Sequence, residues 1–312
     1  MDASGQAGLY YKHSGRFSVT GALYAVVVGS VVACLCAFVY AYIIVYCPIV
    51  YLNALIAAGF GALIGYLCST MLQKKNVRSS VVAVAISLLV TTIGYYFSWA
   101  AWVWALARRS DNAVPFAGLV GLTISPSLLW ETIRAINVEG VWSIGRSSTA
   151  VTGWALWAVW VAELGLIFGL ALSAAYKTMD EQPFCEGCEA WGTKKEKVLE
   201  ALVTDTSEFR QRMEAKDFRY LESAGAPTGE STEWQRIDLF SCPKCGSFHT
   251  MDSTRVKIKV ESGKRKEETK QTVHHLLLTA SEADALHKLG QKMAPPLIPP
   301  VPEPPQGVGA SA

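Results

Sequence analysis

Residues 153–191 read GWALWAVWVAELGLIFGLALSAAYKTMDEQPFCEGCEAW, and their character changes twice. From 153 to 176 the only charged side chain is Glu163. A helix needs about 20 such residues to cross the roughly 30 Å apolar core of a bilayer. Lys177 to Gln182 then carry the charges of a chain leaving lipid, and Cys185-Glu186-Gly187-Cys188 follows at once. A membrane span thus runs directly into a motif built for thiolate ligation.

The rest of the chain divides at the same place. Residues 1–176 hold 9 Lys or Arg and 5 Asp or Glu, whereas residues 177–312 hold 19 and 21. A chain soluble throughout is excluded, as is one disordered throughout. Three more apolar segments satisfy the length test, at about 18–46, 52–72 and 79–107. Cys47-Pro48 makes the first two a tight antiparallel hairpin. The apolar run after the basic start continues to Tyr46, too long for a removed signal.

Lys12, Arg16, Lys74, Lys75, Arg78 and Lys177 fall on one side of a four-span chain, which places both termini in the cytoplasm. Arg108, Arg109, Arg134 and Arg146 oppose this, but the basic turn at 74–78 is denser. Trp99, Trp102 and Trp104 should meet Trp154, Trp157 and Trp160 at the outer interface. Residues 113–130 are uncharged but interrupted by Pro115, Ser125 and Pro126. They are expected as an outer re-entrant or interfacial segment near 113–150, with a short helix from Ser125-Pro126 to Gly140 whose apolar face is Leu128, Leu129, Ile133 and Ile136.

A second C-x-x-C pair, Cys242-Pro243-Lys244-Cys245-Gly246, follows the first after 53 residues. Two such turns can present four sulfurs to one tetrahedral ion. The pairs resemble the zinc-ribbon family, in which both knuckles sit on β-hairpins. The resemblance covers the knuckles and the strands after the second, and it implies Cys185, Cys188, Cys242 and Cys245 as ligands of a structural Zn²⁺. The gap exceeds the usual 15–20 residues, so an insertion is needed. Val198, Leu199, Leu202, Val203, Phe209, Met213 and Leu221 at near-helical spacing predict a helical insertion over 193–223. His249 is the alternative fourth ligand.

Residues 255–260 and 272–279 read as a hairpin across Ser262-Gly263. His274 and His275, adjacent on a strand, should point to opposite faces and so not share a metal. Ser281 with Asp284 starts a last helix ending at Gly290, and a Pro-rich tail, residues 293–312, follows. The fold class is therefore an α-helical membrane protein with four transmembrane helices and a small α+β zinc-ribbon-like cytoplasmic domain. Its divisions are 1–17, 18–176, 177–292 and 293–312.

Glu163 is an intramembrane carboxylate, so it needs a partner or a function; a hydrogen bond from a neighbouring Trp, Tyr or Ser is the favoured reading. Gly61 and Gly65, and likewise Gly165 and Gly169, have the spacing that lets helices approach closely, within one chain or in a homo-oligomer. Cys34, Cys36, Cys47 and Cys68 read as small apolar groups. Lys264-Arg265-Lys266 lies among Glu261, Glu267 and Glu268, which argues against nucleic acid and leaves lipid headgroups as the simpler contact. No phosphate loop, Ser/His/Asp set or metalloprotease helix is present. The expectation is a non-enzymatic scaffold or regulatory subunit of a bacterial inner membrane, contacting lipid and, through the cytoplasmic domain and tail, protein partners. The alternatives are a small channel or transporter using Glu163 with the zinc module as gate, and a membrane-tethered dithiol redox protein.

Overall fold

The computed structural model describes residues 8–47, 49–110, 114–140, 150–261 and 264–293. The chain divides into two compact units, one built from Lys12–Trp191 and the other from Gly192 onward together with the N-terminal residues through Tyr11.

In the first unit four helices are long and apolar enough to span a membrane. They are α1 (Val19–Tyr46), α2 (Val50–Lys74), α3 (Ser80–Ser110) and, after two short helices, α6 (Gly153–Asp180). At 1.5 Å per residue the 28 residues of α1 extend about 42 Å. Its arrangement is inside out relative to a soluble helix. Ala25, Gly29, Ala33, Ala37 and Ala41 recur every fourth residue and are buried, whereas Val27, Val31, Leu35 and Val39 face outward. Small residues inside allow close helix approach and large aliphatics outside suit lipid; in water that outer stripe would be an exposed apolar patch.

α1 and α6 each pack on both α2 and α3. The α2–α6 seam is the tightest. A Cβ at Gly61 would collide with the Ile167 carbonyl and one at Gly65 with that of Ala171. Toward the end of the same seam Ser69 Oγ donates to Ala175 O at 3.0 Å and Gln73 Nε2 to Thr178 O at 2.8 Å. Within this chain no atom lies within 4 Å of a Cβ added at Gly165 or Gly169. The same four-residue spacing therefore carries packing on α2 and open space on α6.

The segment after α3 is a pair of helices, α4 (Phe116–Ile124) and α5 (Pro126–Glu139), bent by 106° at Ser125. Neither alone can cross the apolar core. Leu129 and Ile133 of α5 pack with Trp104, Leu119, Leu156 and Trp160 in one buried cluster. Trp104 Nε1 donates to Pro115 O at 2.9 Å and Asn137 Nδ2 to Gly153 O at 3.0 Å, tying both ends of the segment down. Trp99, Trp102, Trp157 and Trp160 stack edge to face with centroids 5.0–6.2 Å apart.

The second unit is a four-stranded antiparallel sheet in the order β3 (Thr193–Ala201), β4 (Glu233–Ser241), β5 (His249–Glu261), β6 (Lys264–Leu278). The β1 (Phe184–Cys185) and β2 (Ala190–Trp191) strands form a separate small hairpin. α7 (Thr206–Glu214), α8 (Arg219–Ala224) and α9 (Ala280–Met293) complete the unit. Phe209, Met213, Leu221, Ile237, Met251 and Leu286 form its core.

Two expectations are corrected here. Residues 193–201 are strand, so the insertion is helical only in α7 and α8. Leu199, Ala201 and Val203 are buried at a spacing of two, and pairing with β4 overrides a pattern that helix and strand share over so short a run. α9 is capped by Thr279 and Glu282 rather than Ser281 and Asp284: Thr279 N donates to Glu282 Oε2 at 2.8 Å and Glu282 N to Thr279 Oγ1 at 3.3 Å. The Ser262-Gly263 turn and the Pro-rich tail lie outside the described residues.

Residues 9–11 extend the sheet beyond β6. Leu277 N donates to Leu9 O and Tyr11 N to His275 O, at 3.0 and 2.8 Å. Tyr10 Oη donates to Glu214 Oε1 at 2.6 Å. Burial, with the bond to and charge of Glu214, pushes the Tyr10 phenol up to about 12.

Candidate metal centre

Each cysteine pair sits on a tight turn whose shape its own sequence provides. The first lies on the β1–β2 hairpin, where Cys185 pairs with Ala190 and the chain turns through Glu189 at φ 46°. This hairpin is held from below by aromatic packing, Phe184 on Trp191 with centroids 5.0 Å apart. Arg78 lies over the Phe184 ring and pairs with Glu186, and Trp191 Nε1 donates to Gln73 O at 2.9 Å. The second pair ends β4. Cys242 N donates to Phe248 O at 3.0 Å and Gly246 N to Cys242 O at 3.3 Å, with Gly246 at φ +59° where a side chain would be strained.

β2 ends at Trp191, β3 starts at Thr193, and Thr193 pairs with Ser241, the residue before Cys242. The sulfurs of Cys185, Cys188, Cys242 and Cys245 all lie within 4.8 Å of one another and could hold a metal ion. The donor set fits that use. Four thiols are costly to bring so close as thiolates without a cation, and four sulfurs fill a tetrahedral shell with no position left for water or substrate. Cys185 and Cys242 are buried, Cys188 is half-buried and Cys245 is exposed.

His249 is positioned beside this centre but its ring is engaged elsewhere. Nδ1 lies 2.8 Å from Ser241 Oγ and Nε2 2.8 Å from Gly246 O. It braces the second knuckle. Ser247 Oγ donates to Cys245 Sγ at 3.1 Å; hydroxyl donors to a thiolate are the sort of outer-shell contact that orients ligands.

Glu163 lies on α6 and accepts a hydrogen bond from Tyr40 Oη of α1, whose ring stacks on Phe60 of α2 at 4.7 Å. Both residues line a cavity of about 590 Å³, which also includes Asn53, Tyr95, Trp102 and Arg109. The aromatic and polar lining of that cavity was not foreseeable from any one segment, since α1, α2, α3 and α6 all contribute.

His274 and His275 do not point to opposite faces. β5 and β6 pair regularly at Met251 with Leu276 and at Ser253 with Val273, so Asp252 alone faces both histidines. This is a β-bulge, and His275 sits in it at φ 50°. The extra residue cancels the alternation of the strand, and the two rings stack with centroids 4.0 Å apart. Asp252 Oδ1 lies 2.8 Å from His275 Nδ1 and Oδ2 lies 3.5 Å from His274 Nδ1. Burial alone would raise the Asp252 carboxyl, but hydrogen bonds from both histidines and the charge on His275 outweigh it and hold it at about 2. No signal in the sequence marks the bulge.

No family model, curated protein or solved structure matches the chain.

Proposed function

We propose that this is a four-span integral membrane protein that carries a structural Zn²⁺ on Cys185, Cys188, Cys242 and Cys245 and serves as a scaffold or regulatory subunit, docking protein partners in the cytoplasm of a bacterial inner membrane. The observation that carries the reading is the convergence of four cysteine sulfurs, with no other donor type in the group among the described residues. Such a shell stabilises a fold and leaves no site for chemistry at the metal. Cysteines kept reduced for metal suit the cytoplasmic side.

Orientation is supported by the N-terminal residues. Residues 9–11 hydrogen-bond along β6, so the chain leaves the sheet-containing unit before α1 and re-enters it after α6. The even number of crossings in the four-span reading accords with this. The Lys and Arg residues at 12, 16, 74, 75, 78 and 177 then share one side, which the positive-inside tendency assigns to the cytoplasm.

The test is to compare proteins cross-linked in cells to the full chain and to a chain ending at residue 176. Partners should be lost from the truncated chain while membrane insertion persists; retention of every partner would sink the docking role.

The cavity beside Glu163 favours a second reading, a small channel or transporter with the zinc module as gate. An intramembrane carboxylate next to an aromatic-lined space can meet a solute or a proton. Flux into liposomes that Glu163→Gln abolishes without loss of the folded protein is the expected result of that reading. Flux that is absent, or unchanged by Glu163→Gln, counts against it.

A further inference from the structure

We propose that Asp252, His274 and His275 form a further metal site that takes a divalent transition ion through two imidazole nitrogens and one carboxylate oxygen. The inference stands independently of the cysteine centre.

Three observations support it. One donor atom from each residue lies within 4.8 Å of the others. The backbone is strained to bring them there: a β-bulge and a non-glycine residue at positive φ recur at sites where structure serves function. Finally, the set is held from several directions. His275 N donates to Asp252 Oδ1 at 2.5 Å, and Gln271 Nε2 lies 2.5 Å from His274 Nδ1 and 3.5 Å from Asp252 Oδ2. The rings of Phe240 and Tyr11 meet His275 edge-on at 5.2 and 6.0 Å.

The donor chemistry selects the ion. Two imidazoles and one carboxylate suit Zn²⁺, Co²⁺, Ni²⁺ or Fe²⁺, whereas Mg²⁺ and Ca²⁺ favour shells of oxygen. A carboxylate ligand contributes an anion that offsets the cation. Three protein donors leave positions for water or an added ligand, unlike the closed cysteine set. The site also adjoins the N-terminal segment, since Tyr11 N donates to the carbonyl of His275 itself. Ligation would therefore stiffen the place where the chain departs toward α1.

The experiment uses the full chain in detergent with Zn²⁺ supplied during expression, stripped of metal outside the cysteine centre with a mild chelator until about one Zn²⁺ per chain is left, and then titrated with Co²⁺. Zn²⁺ outcompetes Co²⁺ for thiolate ligands, so added cobalt reports the open set. The expected result is about one bound Co²⁺ per chain, with visible absorption free of sulfur-to-cobalt charge transfer. Asp252→Asn and His274→Gln should each weaken that binding beyond the roughly 10–100-fold that loss of an outer-shell partner costs, leaving zinc content unchanged. His274 is at the rim, its side chain 36% exposed, so His274→Gln keeps the core intact even if Asp252→Asn does not fold. Absence of cobalt binding, or binding that both variants retain, overturns the site and leaves a hydrogen-bonded charge cluster.

Discussion

Replacing Cys242 by Ser is expected to strip the metal from the purified full chain and to destabilise the sheet-containing unit severely. Cys242 is buried and joins β4 to the second knuckle, so the substitution removes one donor and the anchor of its turn together. Apparent zinc binding energies in small structural sites run to about 10–16 kcal/mol. A domain's net stability is only about 5–15 kcal/mol, so even a fraction of the metal's contribution is decisive. Elemental analysis should fall from about one zinc per chain to background, with protease cleavage appearing between residues 185 and 248. Cys47→Ser, in the α1–α2 connection, should keep the metal. A Cys242→Ser protein with full zinc content and unchanged unfolding would remove the structural-metal reading. Metal-free wild type with thiols that cycle to disulfides would instead favour dithiol redox chemistry.

The second large effect is expected at the α2–α6 seam. Alanine at Gly61 or Gly65 puts a Cβ into the carbonyls of Ile167 and Ala171, and backbone cannot rotate aside as a side chain can. The helices must separate, which also stretches the Ser69 and Gln73 hydrogen bonds further along the seam. Overpacking a fitted interface costs about 1–3 kcal/mol, and more where backbone must move. The double variant Gly61→Ala/Gly65→Ala should therefore lose several kcal/mol in detergent unfolding titrations. Gly165→Ala and Gly169→Ala face open space and should be neutral or slightly stabilising, because alanine favours helix by up to about 1 kcal/mol. Equal losses from the two pairs would mean that α6 is rotated from the arrangement described.

This contrast marks a limit of reading residues in order. All four glycines obey one spacing rule, yet which of them touches a neighbour depends on how each helix is turned about its own axis. That rotation follows from the sum of packing over α1, α2, α3 and α6, not from a local motif.

Other features were legible locally because their physics is local. The spans follow from length and apolarity, since a helix in lipid must satisfy its own backbone. The α5 helix follows from Pro126 at its start and Gly140 at φ +80° past its end. The cap at Asp205, whose carboxylate accepts from Ser207 N and Glu208 N at 2.8 and 3.0 Å, is signalled by Asp205-Thr206-Ser207-Glu208, but the apolar spacing across 198–203 points to an earlier helix start.

The cysteine set lies between these cases. Each C-x-x-C turn announces a pair of thiolates by its spacing, so the four residues could be named from sequence. Their grouping joins residues far apart in the chain and is written in neither turn. Strand assignment at 193–201, the bulge that gathers Asp252 with His274 and His275, and the hydrogen bonding of residues 9–11 along β6 share that cause. A short run of alternating or mixed residues is compatible with several conformations, and the partner strand selects one. Sequence alone thus determined four helices long and apolar enough to cross a membrane and the two cysteine pairs, because solvent transfer and ligand type belong to the residues themselves. Tertiary structure decided which glycines pack, which histidines converge and how the N-terminus is held, because those depend on what the rest of the chain brings alongside.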